Sequence, residues 1–178
     1  MWTPGRDMPG RDGHGGSGTP TPDLTPAGSP GSGAGNEPGA GAAVTRTGTF
    51  ACASDADVVA ARQAVRRWAT DLRFSLVDQT KLVTAASELA RNAVQYGGGG
   101  TMRMDALDDG RRRGLRLVFE DQGPGIPDLA LAMTDGYTTG SGLGLGLSGS
   151  RRLANEFEIV SAAGRGTRVT LVRWTGAA

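Results

Sequence analysis

The sequence predicts an α+β fold, and three observations carry that reading. Two segments with apolar residues at helical spacing, about 55–71 and about 77–96, follow one another directly. They are flanked by short segments with the alternation of strands, and the last four of these fall into two pairs separated by glycine-bearing turns. The resulting order is strand, helix, helix, strand, strand, helix, helix, strand, strand. Helices grouped between antiparallel hairpins bury their apolar stripes against one sheet, which gives a two-layer sandwich.

Each element has a local cause. Residues 45–52 (TRTGTFAC) alternate as a strand does. Ser54 is placed to cap the first helix, with Asp57 as the acidic partner three residues on. Val58, Val59, Ala61, Ala64, Val65, Trp68 and Ala69 then recur at helical spacing. The second helix carries Leu82, Val83, Ala86, Leu89, Ala90, Ala93 and Val94 as its apolar stripe. It ends at Gly97–Gly100, because glycine takes up the positive φ of a C-cap at low cost. Strands are expected at 101–107 and 114–120, joined by the turn containing Asp109-Gly110. Residues 121–127 (DQGPGIP) read as a loop, 128–133 as a short helix, and 134–149 as a glycine-rich stretch leading into a helix that reaches Asn155. The final strands are 156–162 and 167–174, split by a turn at Gly164–Gly166.

Composition divides the 178 residues in two. Residues 1–44 hold 12 of the 30 glycines and 7 of the 9 prolines, with few large apolar residues. Such a segment cannot bury enough surface to offset ordering, so it is expected to be a disordered tail preceding a folded domain at 45–175. It has no apolar run, and no later window approaches a membrane span of about 18 apolar residues, so neither an anchor nor a signal peptide is expected. The net charge of +1 gives no electrostatic case for nucleic acid. Arg111–Arg113, beside Asp108 and Asp109, reads as a solvated hairpin turn. Cys52 is the single cysteine and His14 the single histidine, and His14 lies in the tail. Internal disulfides and Ser-His-Asp or Cys-His catalysis are thereby excluded, and histidine-ligated metal sites are not expected in the folded part.

Four segments carry the chemistry. The second helix holds Ser87-Glu88-Leu89-Ala90-Arg91-Asn92, in which Glu88 and Asn92 project from one face. Taken alone, the pair reads as a solvent-facing Glu88 paired with Arg91 or Asn92. Glu120-Asp121-Gln122-Gly123-Pro124-Gly125 closes a buried strand with an acid and two glycines, which suits close approach of a flat ligand; alone, it is also an ordinary tight turn. Thr138-Thr139-Gly140-Ser141-Gly142-Leu143-Gly144-Leu145-Gly146 leaves backbone N–H groups unshielded ahead of a helix, an arrangement that suits an anion. Gly166-Thr167 enters the last strand. No Gly-Lys pair occurs, so the Walker phosphate loop is absent, as are the H-R-D and D-F-G signatures. The G-x-G-x-x-G at 144–149 sits too late in the chain for a dinucleotide fold.

In this order and spacing, the four segments resemble the N box, D-x-G-x-G box, glycine-rich lid and G-T box of the GHKL (Bergerat-fold) ATPase and kinase superfamily, over about residues 50–175. SELARNA, EDQGPGIPD and DGYTTGSGLGLGL resemble more particularly the small stress-response switch kinases of the RsbT type. The resemblance implies helices packed on one face of a mixed, mainly antiparallel sheet. It implies a cytoplasmic serine/threonine protein kinase that uses ATP and Mg²⁺. It makes Glu88 the general base and Asn92 the Mg²⁺ ligand. Asp121 would accept from the adenine amino group, with Thr167 in support. Gly123 and Gly125 would lie against the base, Gly142, Gly144 and Gly146 would cradle phosphates, and Thr138 and Thr139 would touch them. Arg91 is a further candidate for the phosphates or for Glu88 itself, and Tyr96 for the ribose or phosphates. The expected acceptor is a separate protein, a STAS-domain antagonist, and a PPM-type serine phosphatase would be activated by the released kinase. An anti-sigma kinase holding a sigma factor, or a non-catalytic ATP sensor, are the alternatives.

Overall fold

The computed structural model describes residues 37–134 and 146–176. Five strands and four helices follow one another as β1 (Ala43–Cys52), α1 (Asp55–Asp71), α2 (Leu76–Gln95), β2 (Gly100–Asp108), β3 (Arg113–Asp121), α3 (Leu129–Ala132), α4 (Gly146–Arg152), β4 (Glu156–Ser161) and β5 (Thr167–Trp174). The strands form one open sheet in the order β1-β2-β3-β5-β4. All four described pairings are antiparallel, so the mixed part of the expected sheet has no counterpart among the described residues.

The first helix begins where its cap is written. Ser54 Oγ accepts from the Asp57 N–H at 3.2 Å, and the Asp57 carboxylate returns to Ser54 Oγ at 2.9 Å and to the Ala53 N–H at 3.0 Å. The second helix repeats the device with Ser75 and Asp78. Its end is set by glycines: Gly98 and Gly99 have φ of 69° and 105°, and the Gly99 N–H closes back on the Ala93 carbonyl at 2.9 Å.

The two long helices cover one face of the sheet. Ala61, Ala64, Val65 and Trp68 of α1, and Leu82, Ala86, Leu89 and Ala93 of α2, pack on Met102, Met104, Leu115, Leu117, Phe119 and Leu171. The alanines let helix and sheet approach closely, while the strand residues supply the apolar volume. The turn Asp108–Arg113 joins β2 to β3 as expected, with Asp109 accepting from the backbone N–H groups of Arg111 and Arg112.

The far face of the sheet is covered differently. Part of the expected tail packs there: Pro38 and Gly39 are buried, and β1 starts at Ala43. The Gly39 N–H donates to Glu156 at 2.8 Å, Arg116 donates to the Pro38 carbonyl, and Glu37 pairs with Arg168. Leu107, Val172 and Trp174 with Ala42 make a small second core beneath this strap. The remainder of the expected tail, residues 1–36, lies outside the described residues. Among the described residues no helix is long and apolar enough to cross a membrane.

Candidate functional site

The strand β3 is central, and its last residue is Asp121. In register on either side are Gly100 of β2 and Thr167 of β5. Asp121 therefore stands at the sheet's end with both flanks filled by backbone. Its Oδ1 accepts from the Gly123 N–H at 2.9 Å and from the Thr167 N–H at 3.2 Å. Oδ2 has no hydrogen-bond partner among the described residues.

The end of α2 folds down over this carboxylate, and Gly97 makes that approach feasible. A Cβ on Gly97 would stand 2.5 Å from Asp121 Cβ and Cγ. One turn back along α2 lies Asn92, and one turn further Glu88. Leu89 and Ala93 sit on the core side of the same turns, so Glu88 and Asn92 fall at its flank and are half-buried.

Between the helix end, the strand end and the loop after it lies a cavity of about 640 Å³, within the usual range for small-molecule sites. Glu88, Asn92, Asp121, Gly125, Gly146 and Thr167 all line it. Arg91 and Tyr96 line it as well. Its apolar wall includes Leu89, Phe119, Ile126, Leu131 and Val169. Six of the expected site residues, drawn from 80 positions of sequence, thus share one cavity. Thr138, Thr139, Gly142 and Gly144 lie outside the described residues.

Gly123 is the exception among the expected residues that are described. It does not line the cavity. The room left by its missing side chain is taken by the protein itself, since a Cβ there would stand 2.6 Å from Gly97 Cα. Gly125 does line the cavity, but its φ of 70° aims its Cβ direction at the Ala162 carbonyl oxygen. Both glycines pack the loop closely on neighbouring backbone.

Sequence reading missed Ser161. Its hydroxyl contacts Thr167 Oγ1 at 2.9 Å and the Gly166 carbonyl at 2.8 Å, and it receives the Ile126 N–H at 2.8 Å. With the bond from the Gly164 N–H to the Pro124 carbonyl at 2.7 Å, it fastens the loop 122–127 to the β4–β5 turn. The hairpin sets residues 161 and 167 opposite each other across its turn, but a lone serine there carries no signal of its own.

Among the described residues no group of three or more His, Cys, Asp or Glu side chains could hold a metal ion. Asn92 offers one hard amide oxygen, and its side chain has no partner among the described residues. That donor set suits Mg²⁺, which keeps several waters and takes its other oxygens from phosphates.

A family profile described as Histidine kinase-, DNA gyrase B-, and HSP90-like ATPase matches residues 77–175. The chain belongs to this ATPase family. The match spans α2, the cavity and the last strand. Serine/threonine-protein kinase RsbT of Bacillus subtilis is 48% identical over 118 residues, which cover 66% of this chain and 89% of that protein. Anti-sigma F factor of Clostridium kluyveri is 29% identical over 117 residues, 62% of this chain and 81% of that protein. A crystal structure of RsbU and RsbW domains from Mycobacterium tuberculosis aligns with a TM-score of 0.52 at 22% identity, over 75% of this chain and 34% of that one. This last likeness is one of fold. As a member of the histidine kinase-, DNA gyrase B- and HSP90-like ATPases with an RsbT relative at this identity, the chain is an ATP-using enzyme of the serine/threonine-protein kinase class.

Proposed function

We propose that the chain binds ATP with Mg²⁺ in this cavity and transfers the γ-phosphoryl group to a serine or threonine of a STAS-domain antagonist. The setting is a bacterial partner-switching pathway in the cytoplasm, and the released kinase then activates a PPM-type serine phosphatase. The observation that carries the reading is the convergence of Glu88, Asn92, Asp121 and Thr167 on one cavity.

Each residue has a task that its surroundings suit. Asp121 Oδ2 accepts the exocyclic amine of adenine, while Oδ1 stays bound to backbone. Asn92 and phosphate oxygens hold Mg²⁺, which supplies charge neutralisation at the β- and γ-phosphates. Glu88 takes the proton of the acceptor hydroxyl as its oxygen bonds to the γ-phosphorus and the bond to the β-phosphate oxygen breaks, releasing ADP. Arg91 lines the same cavity, has no partner among the described residues and offers its charge to the transferring phosphoryl group. Gly146, at the start of α4, contributes to the phosphate end, together with Gly142, Gly144, Thr138 and Thr139. Gly125 and Tyr96 complete the surround, and Gly123 packs the loop behind them against Gly97.

Label transfer from ATP to a STAS-domain acceptor tests this. The Glu88→Gln variant is expected to transfer about 10²–10⁴-fold more slowly, with ADP affinity held within about threefold. Equal transfer by parent and variant would remove Glu88 from the reaction. A second reading, an anti-sigma kinase that holds a sigma factor, is favoured by the Clostridium kluyveri relative. Recovery of a sigma subunit with the chain from native cells, in the presence of ADP or ATP, would favour it over the switch kinase. The presence of both Glu88 and Asn92 at the cavity speaks against a non-catalytic sensor.

A further inference from the structure

We infer that Ser161 is a positioning residue that fixes the direction of the Thr167 hydroxyl, and through it the purine preference of the site. The inference rests on the reading of the cavity as an adenine-nucleotide site. Ser161 itself does not line the cavity and acts only through Thr167.

The argument is a count of protons. A serine hydroxyl has one proton and two lone pairs. Ser161 Oγ lies 2.8 Å from the Gly166 carbonyl oxygen, a contact that only the serine proton can bridge. It accepts the Ile126 N–H at 2.8 Å. One contact is left, that with Thr167 Oγ1 at 2.9 Å. Distance alone leaves the donor open there, but the Ser161 proton is already committed, so Thr167 donates.

The consequence appears on the cavity side. The Thr167 proton points back at Ser161, and the oxygen turns only lone pairs towards a ligand. Asp121 Oδ2, at the neighbouring strand end, is likewise an acceptor. The polar floor between them offers acceptors and no side-chain donor. Such a floor welcomes an exocyclic 6-amino group, directly or through one water, and repels a 6-oxo group. Without the Ser161 oxygen, the Thr167 hydroxyl is free to rotate and donate into the cavity.

Calorimetry with ADP and with inosine diphosphate tests this on the parent and on Ser161→Ala, with Ser161→Cys as a second variant that keeps the volume. The parent is expected to prefer ADP. Both variants are expected to bind ADP a few-fold more weakly and inosine diphosphate about 3–10-fold more tightly. Ser161→Thr, which keeps a hydroxyl, is expected to retain the parental preference. In the double variant Ser161→Ala/Thr167→Val the gain in inosine diphosphate binding is expected to vanish, because no hydroxyl remains to turn. A gain in binding is a result that general loosening of the loop does not produce. Unchanged or weaker inosine diphosphate binding by folded Ser161→Ala, or a gain that survives in the double variant, overturns the role of Ser161 and leaves the adenine site standing. A parent that binds neither nucleotide overturns the site itself.

Discussion

The two ends of α2 treat their polar side chains in opposite ways. At the first turn every group is matched. Ser75 and Asp78 cap each other, Asp78 pairs with Arg173 of β5, and Arg173 also donates to the Leu153 carbonyl at 2.9 Å. Gln79 reaches the Phe74 carbonyl at 2.9 Å. Three turns on, Glu88, Arg91 and Asn92 are half-buried at the cavity and have no side-chain partner among the described residues. None of their polar atoms is among the buried atoms left without a bond, so they open on the cavity and can exchange water for a ligand. One helix thus carries a saturated end that fastens it to the sheet and an open end that faces the cavity. Substitutions at the first end should read out in stability, and those around the second in nucleotide binding or transfer.

The largest expected effect lies at the open end. Asp121→Asn keeps an oxygen for the Gly123 and Thr167 N–H groups but puts an amide nitrogen where the free acceptor was. ADP affinity is expected to fall about 10–100-fold, the worth of a charged hydrogen bond. The unliganded protein should unfold at nearly the parental denaturant midpoint. Unchanged affinity in calorimetry would separate Asp121 from the nucleotide. At the saturated end the pattern should invert. Arg173→Met leaves half-buried Asp78 with only the more distant Lys81 at 4.0 Å and is expected to cost about 1–3 kcal/mol in chemical unfolding. ADP affinity of the folded variant should be unchanged. A variant that lost affinity as well would show that the two ends are coupled through the helix.

Legibility in the sequence differed between the same two kinds of feature. The start of α1 was readable because Ser54 and Asp57 act locally, within one turn, and the hairpin at Asp109-Gly110 was readable for the same reason. Gly97–Gly100 marked the end of α2, although the tight fit of Gly97 over Asp121 depends on a partner 24 positions away. Asp121, Asn92 and Glu88 could be selected because their spacing resembles a family pattern. That pattern did not say what Gly123 packs against, since Gly97 occupies the space only in the folded chain. Ser161 was passed over because its importance comes from three contacts made to Ile126, Gly166 and Thr167, and a lone serine at a strand end announces none of them. The strap at Pro38–Gly39 was hidden by composition: its glycine and proline content matches a tail, while its fit over Leu107 and Val172 is a tertiary fact.

The smallest effect sharpens the comparison by pH. Burial alone would raise the Asp78 carboxyl, but the Ser75 hydroxyl and the Arg173 guanidinium outweigh it and hold the group below its ordinary 3.8. Asp57 is lowered by the Ala53 N–H and the Ser54 hydroxyl, and Asp109 to about 2 by the backbone N–H groups of Arg111 and Arg112. A carboxyl with a lowered folded pKa binds fewer protons than its unfolded counterpart as the pH falls below the unfolded value. Its contribution is therefore complete above about pH 4–5 and is lost as the pH falls through the folded value. The parent should lose stability from about pH 4 towards pH 2. Arg173→Met removes one cause of the Asp78 shift and leaves Asp57 and Asp109 untouched, so its stability should fall less steeply over that interval. Urea midpoints measured at half-unit steps would show the two curves converging. Parallel curves would mean that Asp78 owes its lowered pKa to Ser75 and Lys81, and that the Arg173 pair ties α2 to β5 by geometry rather than by charge.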